Sequence, residues 1–248
     1  MRVLLRLVTL LAGVLCLAGP LLAGAPRIAI IIDDLGYQKA AGERAIALPG
    51  PVACAILPNA PSTRALAARA RSSGKEVLLH LPMQAVNQSG PTEVGGLTLD
   101  MSRQDLAASF NAALLAVPDA IGVNNHRGSL LTRHPGHMLW LMQEIRARQP
   151  LFFVDSYTTH ASVAMQIAGE AGVRAVRRDV FLDTDPTPER VRSEFERLKG
   201  LARKQGYAVA IGHPYDVTLS LLEELLPGLA AEGFELVPIS ELVDRGTL

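Results

Sequence analysis

Short apolar runs recur along the chain at 27–32, 52–57, 76–79, 120–123, 151–154, 173–176, 207–211 and 234–237, with helix-length amphipathic stretches between most of them. Strands that alternate with such stretches read as βαβ units of a parallel sheet. The first run, Ile28-Ala29-Ile30-Ile31-Ile32, is continuous rather than alternating, the pattern of a strand covered on both faces. Helix starts fall in the gaps. Ser102 has Asp105 three residues on, ahead of the amphipathic stretch 106–117, and Pro188 follows Thr187 ahead of 191–204. The pattern predicts a single distorted (β/α) barrel of about seven to eight mostly parallel strands, with an open doubly wound sheet as the alternative. No Gly-x-Gly-x-x-Gly follows the first strand, which weighs against a dinucleotide site. The irregular stretch 84–98, with Asn87, Ser89, Gly90, Pro91, Gly95 and Gly96, is long enough to line or cover a site.

Polar residues gather where the apolar runs stop. Asp33 and Asp34 follow the first run and His80 the third. Asn124, Asn125, His126 and Ser129 follow the fourth, Asp155 and Ser156 the fifth, and His213 the seventh. In a parallel barrel all these ends open on one face, where sites of this architecture are built. Adjacent carboxylates resist double ionisation unless a cation or a shared proton compensates, which points to a metal site. One aspartate and two imidazoles suit Zn²⁺ or a similar divalent ion, and leave a second carboxylate to accept a proton and a further histidine to donate one. Each residue also has a plainer reading. Asp-Asp-x-Gly is turn chemistry, His80 a core histidine, the asparagines turn formers, Asp155 a helix cap and His213 a loop anchor. His134, His137 and His160 lie away from the strand ends and read as surface or helix-terminal residues.

The chain begins with Arg2 and Arg6 around an apolar stretch that ends at Ala23-Gly24-Ala25, the form of a secretory leader. Residues 1–25 are expected to be a signal peptide, or an uncleaved anchor, and 26–248 a single domain in the periplasm or outside the cell. Loss of the leader removes Cys16 and leaves Cys54 alone, so no intrachain disulfide is available and the apolar core must hold the domain. The whole chain has 24 basic and 24 acidic residues, and without Arg2 and Arg6 the balance is 22 against 24. No basic face argues for nucleic acid, and membrane contact is expected only through an uncleaved leader.

At these positions the chain resembles the polysaccharide deacetylase superfamily, and most closely its divergent polysaccharide deacetylase branch. The segments that carry the resemblance are Ile31-Ile32-Asp33-Asp34-Leu35-Gly36, His80-Leu81-Pro82-Met83, Asn124-Asn125-His126-x-Gly128-Ser129, Phe153-Val154-Asp155-Ser156 and Ile211-Gly212-His213-Pro214. The resemblance implies that Asp33 is the catalytic base, Asp34 and His80 are metal ligands, and His213 is the general acid. It implies that Asp155 is an orienting acidic residue. The second motif of the superfamily usually has another histidine four residues after the first. Gln84 stands there, and the third ligand is placed by inference on His126.

The resemblance thus implies an exported hydrolase that uses a divalent metal, zinc by preference, to remove N-acetyl groups from an envelope or extracellular polysaccharide. Asn124, Asn125, Ser129 and Ser156 are the candidate contacts to the glycan. The alternative, from a different class, is a glycan-binding or envelope-assembly protein that keeps the fold and metal pocket without turnover.

Overall fold

The computed structural model describes residues 24–87 and 92–243, and the expected leader lies outside them except for its last residues. Among these residues nine strands form one sheet: β1 (Arg27–Leu35), β2 (Ala53–Ile56), β3 (Val77–Met83), β4 (Gly122–Arg127), β5 (Phe152–Asp155), β6 (Ala175–Arg177), β7 (Val180–Phe181), β8 (Tyr207–Gly212) and β9 (Glu235–Leu236). Their order is β6-β5-β4-β3-β2-β1-β8-β7, with β9 on the first residues of β1, and every pairing is parallel.

The two edge strands, β6 and β7, are separated in the chain only by Arg178 and Asp179, so the sheet must curl until its edges meet. The backbone N–H of Arg178 donates to Asp155 on the β5 side (3.0 Å), and that of Asp179 to Val209 on β8 (2.9 Å). The Arg178 guanidinium reinforces the seam. It donates to the carbonyls of Ser156 (2.7 Å) and Tyr157 (2.9 Å) and lies 3.6 Å from the Phe181 ring centroid. The result is a curled parallel barrel closed by a seam rather than by a complete ladder.

Period-two alternation divides the strand residues between two cores. Ile28, Ile30, Ile32, Cys54, Leu79, Val123 and Phe153 face outward against the helices. Ala29, Ile31, Ala53, Ala55, Leu78, Val154, Val209 and Ile211 face inward, where alanine suits a narrow interior. The C-terminal segment adds Ile239, Leu242 and Val243 to this inner core, and Ser240 hydrogen-bonds to Glu76, just ahead of β3. That segment fills the inner core toward the amino-terminal end of the barrel, away from the carboxyl ends of the strands.

The helix signals also correspond to elements. Ser102 and Asp105 form a reciprocal capping box on the helix Arg103–Ala116, and Pro188 opens the helix Pro188–Gln205. Cys54 is buried as a free thiol, and burial pushes its pKa up to about 12. Among the described residues no helix is long and apolar enough to cross a membrane.

Candidate active site

The inward row of each strand changes from apolar to polar at the open end. Two residues beyond Ile31 stands Asp33, two beyond Leu78 stands His80, and two beyond Ile211 stands His213. On β4 the inward positions beyond Gly122 are Asn124 and His126. The barrel therefore delivers polar side chains from separate strands to one place by continuing the alternation that builds its core.

Neighbouring strand residues normally point to opposite faces, yet Asp33 and Asp34 both reach this end of the barrel. Two local features allow it. The β1–β2 register slips between Ile32 and Leu35, and Asp34 adopts a left-handed backbone with φ 59°. Such a conformation is costly for a side chain other than glycine and concentrates at functional positions. Arg127 (φ 56°) does the same at the end of β4 and Tyr157 (φ 50°) just after β5. Three of the four described non-glycine residues with positive φ thus sit at the open end; the fourth is Asp119.

Asp34 Oδ1 lies 3.0 Å from His80 Nε2 and 2.8 Å from His126 Nδ1, and the two ring nitrogens are 3.1 Å apart. The outer nitrogen of each ring is engaged elsewhere. His80 Nδ1 is 2.9 Å from the Asn124 Oδ1, whose amide nitrogen donates to Asp33 Oδ1 at 2.8 Å. His126 Nε2 is 3.1 Å from Glu93 Oε1. Both partners are acceptors, so a neutral ring can keep its proton outward and offer the lone pair of its inner nitrogen to a cation beside Asp34. Three lone pairs on one centre is the chemistry of a cation site, and one carboxylate with two imidazoles fits a divalent ion of the zinc type. The same carboxylates that would share a cation also favour a proton on the inner nitrogen. Burial opposes a charge on His80, but the carboxylates of Asp33 and Asp34 outweigh it and raise the ring to about 9. Burial opposes ionisation of Asp34 too, yet the bonds from His126 and His80 hold its carboxyl well below the usual carboxylate range.

Among the described residues the Asp33 carboxylate accepts its hydrogen bond from Asn124 and lies 3.6 Å from His80 Nε2. Burial raises its pKa against the opposing pull of His80, His213 and the Asn124 amide, while Asp34 adds to the rise. His213 faces the pair from β8, its Nε2 3.9 Å from Asp34 Oδ2. Its Nδ1 lies 2.7 Å from Asp183 Oδ1, and Asp183 Oδ2 also accepts from the His213 backbone N–H (2.6 Å) and the Thr218 hydroxyl (2.8 Å). Burial would discharge the ring, but the bond and charge of Asp183, with Asp33 and Asp34 behind them, raise its pKa.

The remaining expected site residues have other partners. Asp155, expected to orient a site group, is turned away from the histidines; it accepts from the Ser162 hydroxyl (2.8 Å) and the Tyr157 N–H (2.8 Å). The orienting carboxylate for His213 is Asp183. Asn125 spends its amide on backbone, donating to Arg127 O (2.7 Å) and accepting from Ser156 N (2.9 Å). Ser129 accepts from Val86 N at 3.1 Å and holds the 84–98 loop. Ser156 is buried, its hydroxyl 3.4 Å from Asn124 Nδ2. Gln84 does not enter the ligand cluster; its Oε1 accepts from Leu99 N at 2.9 Å. Asp183 and Glu93 are the residues that sequence reasoning did not single out. Two clefts flank the cluster. One of about 370 Å³ is lined by Asp34, Tyr37, Gln38, His213, Tyr215 and Asp216, and one of about 240 Å³ by Tyr37, Pro58, Asn59, Glu93 and Val94.

A curled parallel barrel with an Asp-Asp pair and inward histidines at its carboxyl end has the deacetylase type of (β/α) fold. The chain belongs to the divergent polysaccharide deacetylase family, whose sequence profile matches residues 30–243. It is 37% identical over 240 residues to the uncharacterized protein YibQ of Escherichia coli (strain K12), covering 97% of this chain and 74% of that protein. Among solved structures, an uncharacterized protein from Agrobacterium tumefaciens C58 superposes with a TM-score of 0.82 at 22% identity, over 89% of this chain and 90% of that one. A CE4 family pseudoenzyme from Bacillus anthracis shares the fold at a TM-score of 0.55 and 12% identity, over 90% of this chain and 67% of that one.

Proposed function

We propose that this protein is an exported metal-dependent hydrolase that removes N-acetyl groups from an envelope or extracellular polysaccharide. The observation behind this reading is the convergence of Asp34 Oδ1, His80 Nε2 and His126 Nδ1 beside a separate carboxylate, Asp33, and a separate histidine, His213. Asp34, His80 and His126 would hold the ion, with zinc the best match to the donor set. When bound, such an ion polarises an amide carbonyl and acidifies water.

The chain's own groups divide the proton work. Asp33 is the base that takes a proton from the attacking water, and its raised pKa suits that task. Asn124 fixes Asp33 with its amide N–H and His80 with its carbonyl, so one side chain aligns base and ligand. His213 Nε2 delivers a proton to the departing amine while Asp183 holds Nδ1. Water adds across the C–N bond, leaving acetate and a free amine on the sugar. Tyr37 and Tyr215 are 59% and 48% exposed beside the cluster, amphipathic surfaces suited to the apolar faces of sugar rings. Export is supported by the leader-like residues 1–25.

The second reading, a glycan-binding protein without turnover, draws on Gln84, whose side chain is committed to Leu99 N at the position where the superfamily has a ligand. Metal analysis of the purified protein, with acetate release measured on acetylated chitooligosaccharides and peptidoglycan fragments, tests both. The hydrolase reading expects about one ion per chain and acetate release that a chelator abolishes. Metal-loaded protein that binds these glycans and releases no acetate establishes the second reading instead.

A further inference from the structure

We propose that Glu93 is the positioning residue for the relocated third metal ligand, and that Gln84, at the place of the missing histidine, helps hold the loop that brings Glu93 to His126. The inference rests on the reading of Asp34, His80 and His126 as metal ligands. His126 is at the exit of β4, and nothing in the strand ladder fixes the rotation of its ring. On the side facing the cluster Nδ1 meets Asp34 and His80, and on the far side the ring is held by Glu93 Oε1, 3.1 Å from Nε2. Nε2 and Nδ1 lie on opposite edges of the imidazole, so Glu93 stands behind the ring and outside the ligand cluster. A carboxylate there keeps the proton on Nε2 and makes Nδ1 a better electron donor, the outer-shell arrangement typical of histidine ligands.

The loop is built to hold that carboxylate. Gln84 anchors its base through both backbone and side chain: its N–H donates to Leu97 O (2.9 Å), its carbonyl accepts from Leu130 N (3.2 Å) and Leu131 N (3.1 Å), and Oε1 accepts from Leu99 N (2.9 Å). Directly after Glu93 the chain is pinned again, with Gly96 N donating to Glu93 O (2.8 Å) and Asn59 Nδ2 to Val94 O (2.5 Å). Gly95 has φ +80°, and a Cβ on Gly96 would lie 2.9 Å from Glu93 O, so both residues must be small for Glu93 to stay in place. Among the described residues the other ion-pair partner of the Glu93 carboxylate is Arg127 Nη2 at 3.7 Å, a half-exposed pair of little energetic consequence. The His126 bond is therefore the contact that gives the position its meaning.

The test uses the full chain with Zn²⁺ affinity measured by competition against a chromophoric chelator, and with Co²⁺ substituted to report ligand geometry through its visible absorption. Glu93→Ala is expected to weaken Zn²⁺ binding about 10–100-fold and to alter the cobalt spectrum. Glu93→Gln, which retains an acceptor without the charge, should fall between it and wild type, and Arg127→Ala should bind metal like wild type. His126→Ala separates the two readings. If that variant keeps full affinity, the ligand assignment itself fails. If it loses metal while Glu93→Ala and Glu93→Gln keep wild-type affinity and an unchanged cobalt spectrum, the ligand assignment stands and the role of Glu93 is overturned. A Glu93→Ala protein that only melts earlier, by the same amount with and without Zn²⁺, also overturns it, because that is the result expected of a loop staple.

Discussion

Nδ1 of His213 lies 2.7 Å from Oδ1 of Asp183, a carboxylate with no solvent exposure. The pair raises the His213 pKa although burial acts against it. In the proposed reaction the ring must be protonated to serve the leaving amine, so its pKa sets the alkaline limb of the pH–rate profile. Asp183→Asn removes the charge, lowers that pKa and moves the alkaline limb toward lower pH, with kcat on the alkaline side of the optimum reduced about 10–100-fold. Stability follows the same sign. The folded-state pKa lies above the unfolded value of about 6.5, so the pair's contribution is complete below that value and is lost as pH rises through the folded one. Melting temperature measured against pH should therefore fall through this window in wild type and be flatter in Asp183→Asn.

In the proposed mechanism Asp33 is separable from the metal by experiment. It lies 3.6 Å from His80 Nε2 and is not among the three converging ligand atoms, whereas Asp34 is. Asp33→Asn is expected to keep the wild-type metal stoichiometry and lower kcat about 10²–10⁴-fold. Elemental analysis and acetate release on the same preparation check it. A variant that retains turnover moves the base to another residue.

The strand ends were legible because the barrel uses one rule, period-two alternation, for both its core and its site. Runs such as 76–79 and 120–123 stopped short of β3 and β4, which continue to Met83 and Arg127. They continue because His80, Asn124 and His126 occupy inward positions that would otherwise be apolar. β7 has only Val180 and Phe181, too short for a periodic signal, and with it went Asp183. Yet Val180-Phe181-Leu182-Asp183 repeats in miniature the apolar-run-then-Asp signature of β1, so a signal was present. Glu93 had none. It lies 33 positions before His126 in an irregular loop, and only tertiary folding joins them. Asp155 misled for the opposite reason: it follows a strand, but its parity points it outward, toward Ser162.

The bend that lets Asp33 and Asp34 share one end depends on Gly36. Its φ is +136°, and a Cβ there would lie 2.5 Å from the Ala60 Cβ. Gly36→Ala must therefore strain the backbone and displace the turn that follows the aspartates. A loss of more than about 1 kcal/mol in chemical denaturation is expected, together with weaker Zn²⁺ binding. Gly74→Ala is the matched control, with φ +72° but nothing within 4 Å of the added carbon. It should destabilise through backbone strain alone, by about 1–2 kcal/mol, and leave metal affinity at the wild-type value.

Tyr37 lines both clefts beside the ligand cluster, and Tyr215 lines the one next to His213. Both rings are well exposed, so each can be truncated without opening a buried cavity, and Tyr215 also borders the His213 ring at 5.8 Å between centroids. If the rings support sugar units on either side of Asp34, Tyr37→Ala and Tyr215→Ala should each raise KM for an acetylated oligosaccharide about 2–10-fold, the scale of one aromatic contact, with kcat and metal content retained. Chain length sharpens the test. Because Tyr37 borders two clefts, its removal should penalise long oligomers that span both more than a dimer that fills one. Tyr215→Ala should penalise both to similar extents. Equal KM values for wild type and both variants across all chain lengths would remove these rings from the substrate path.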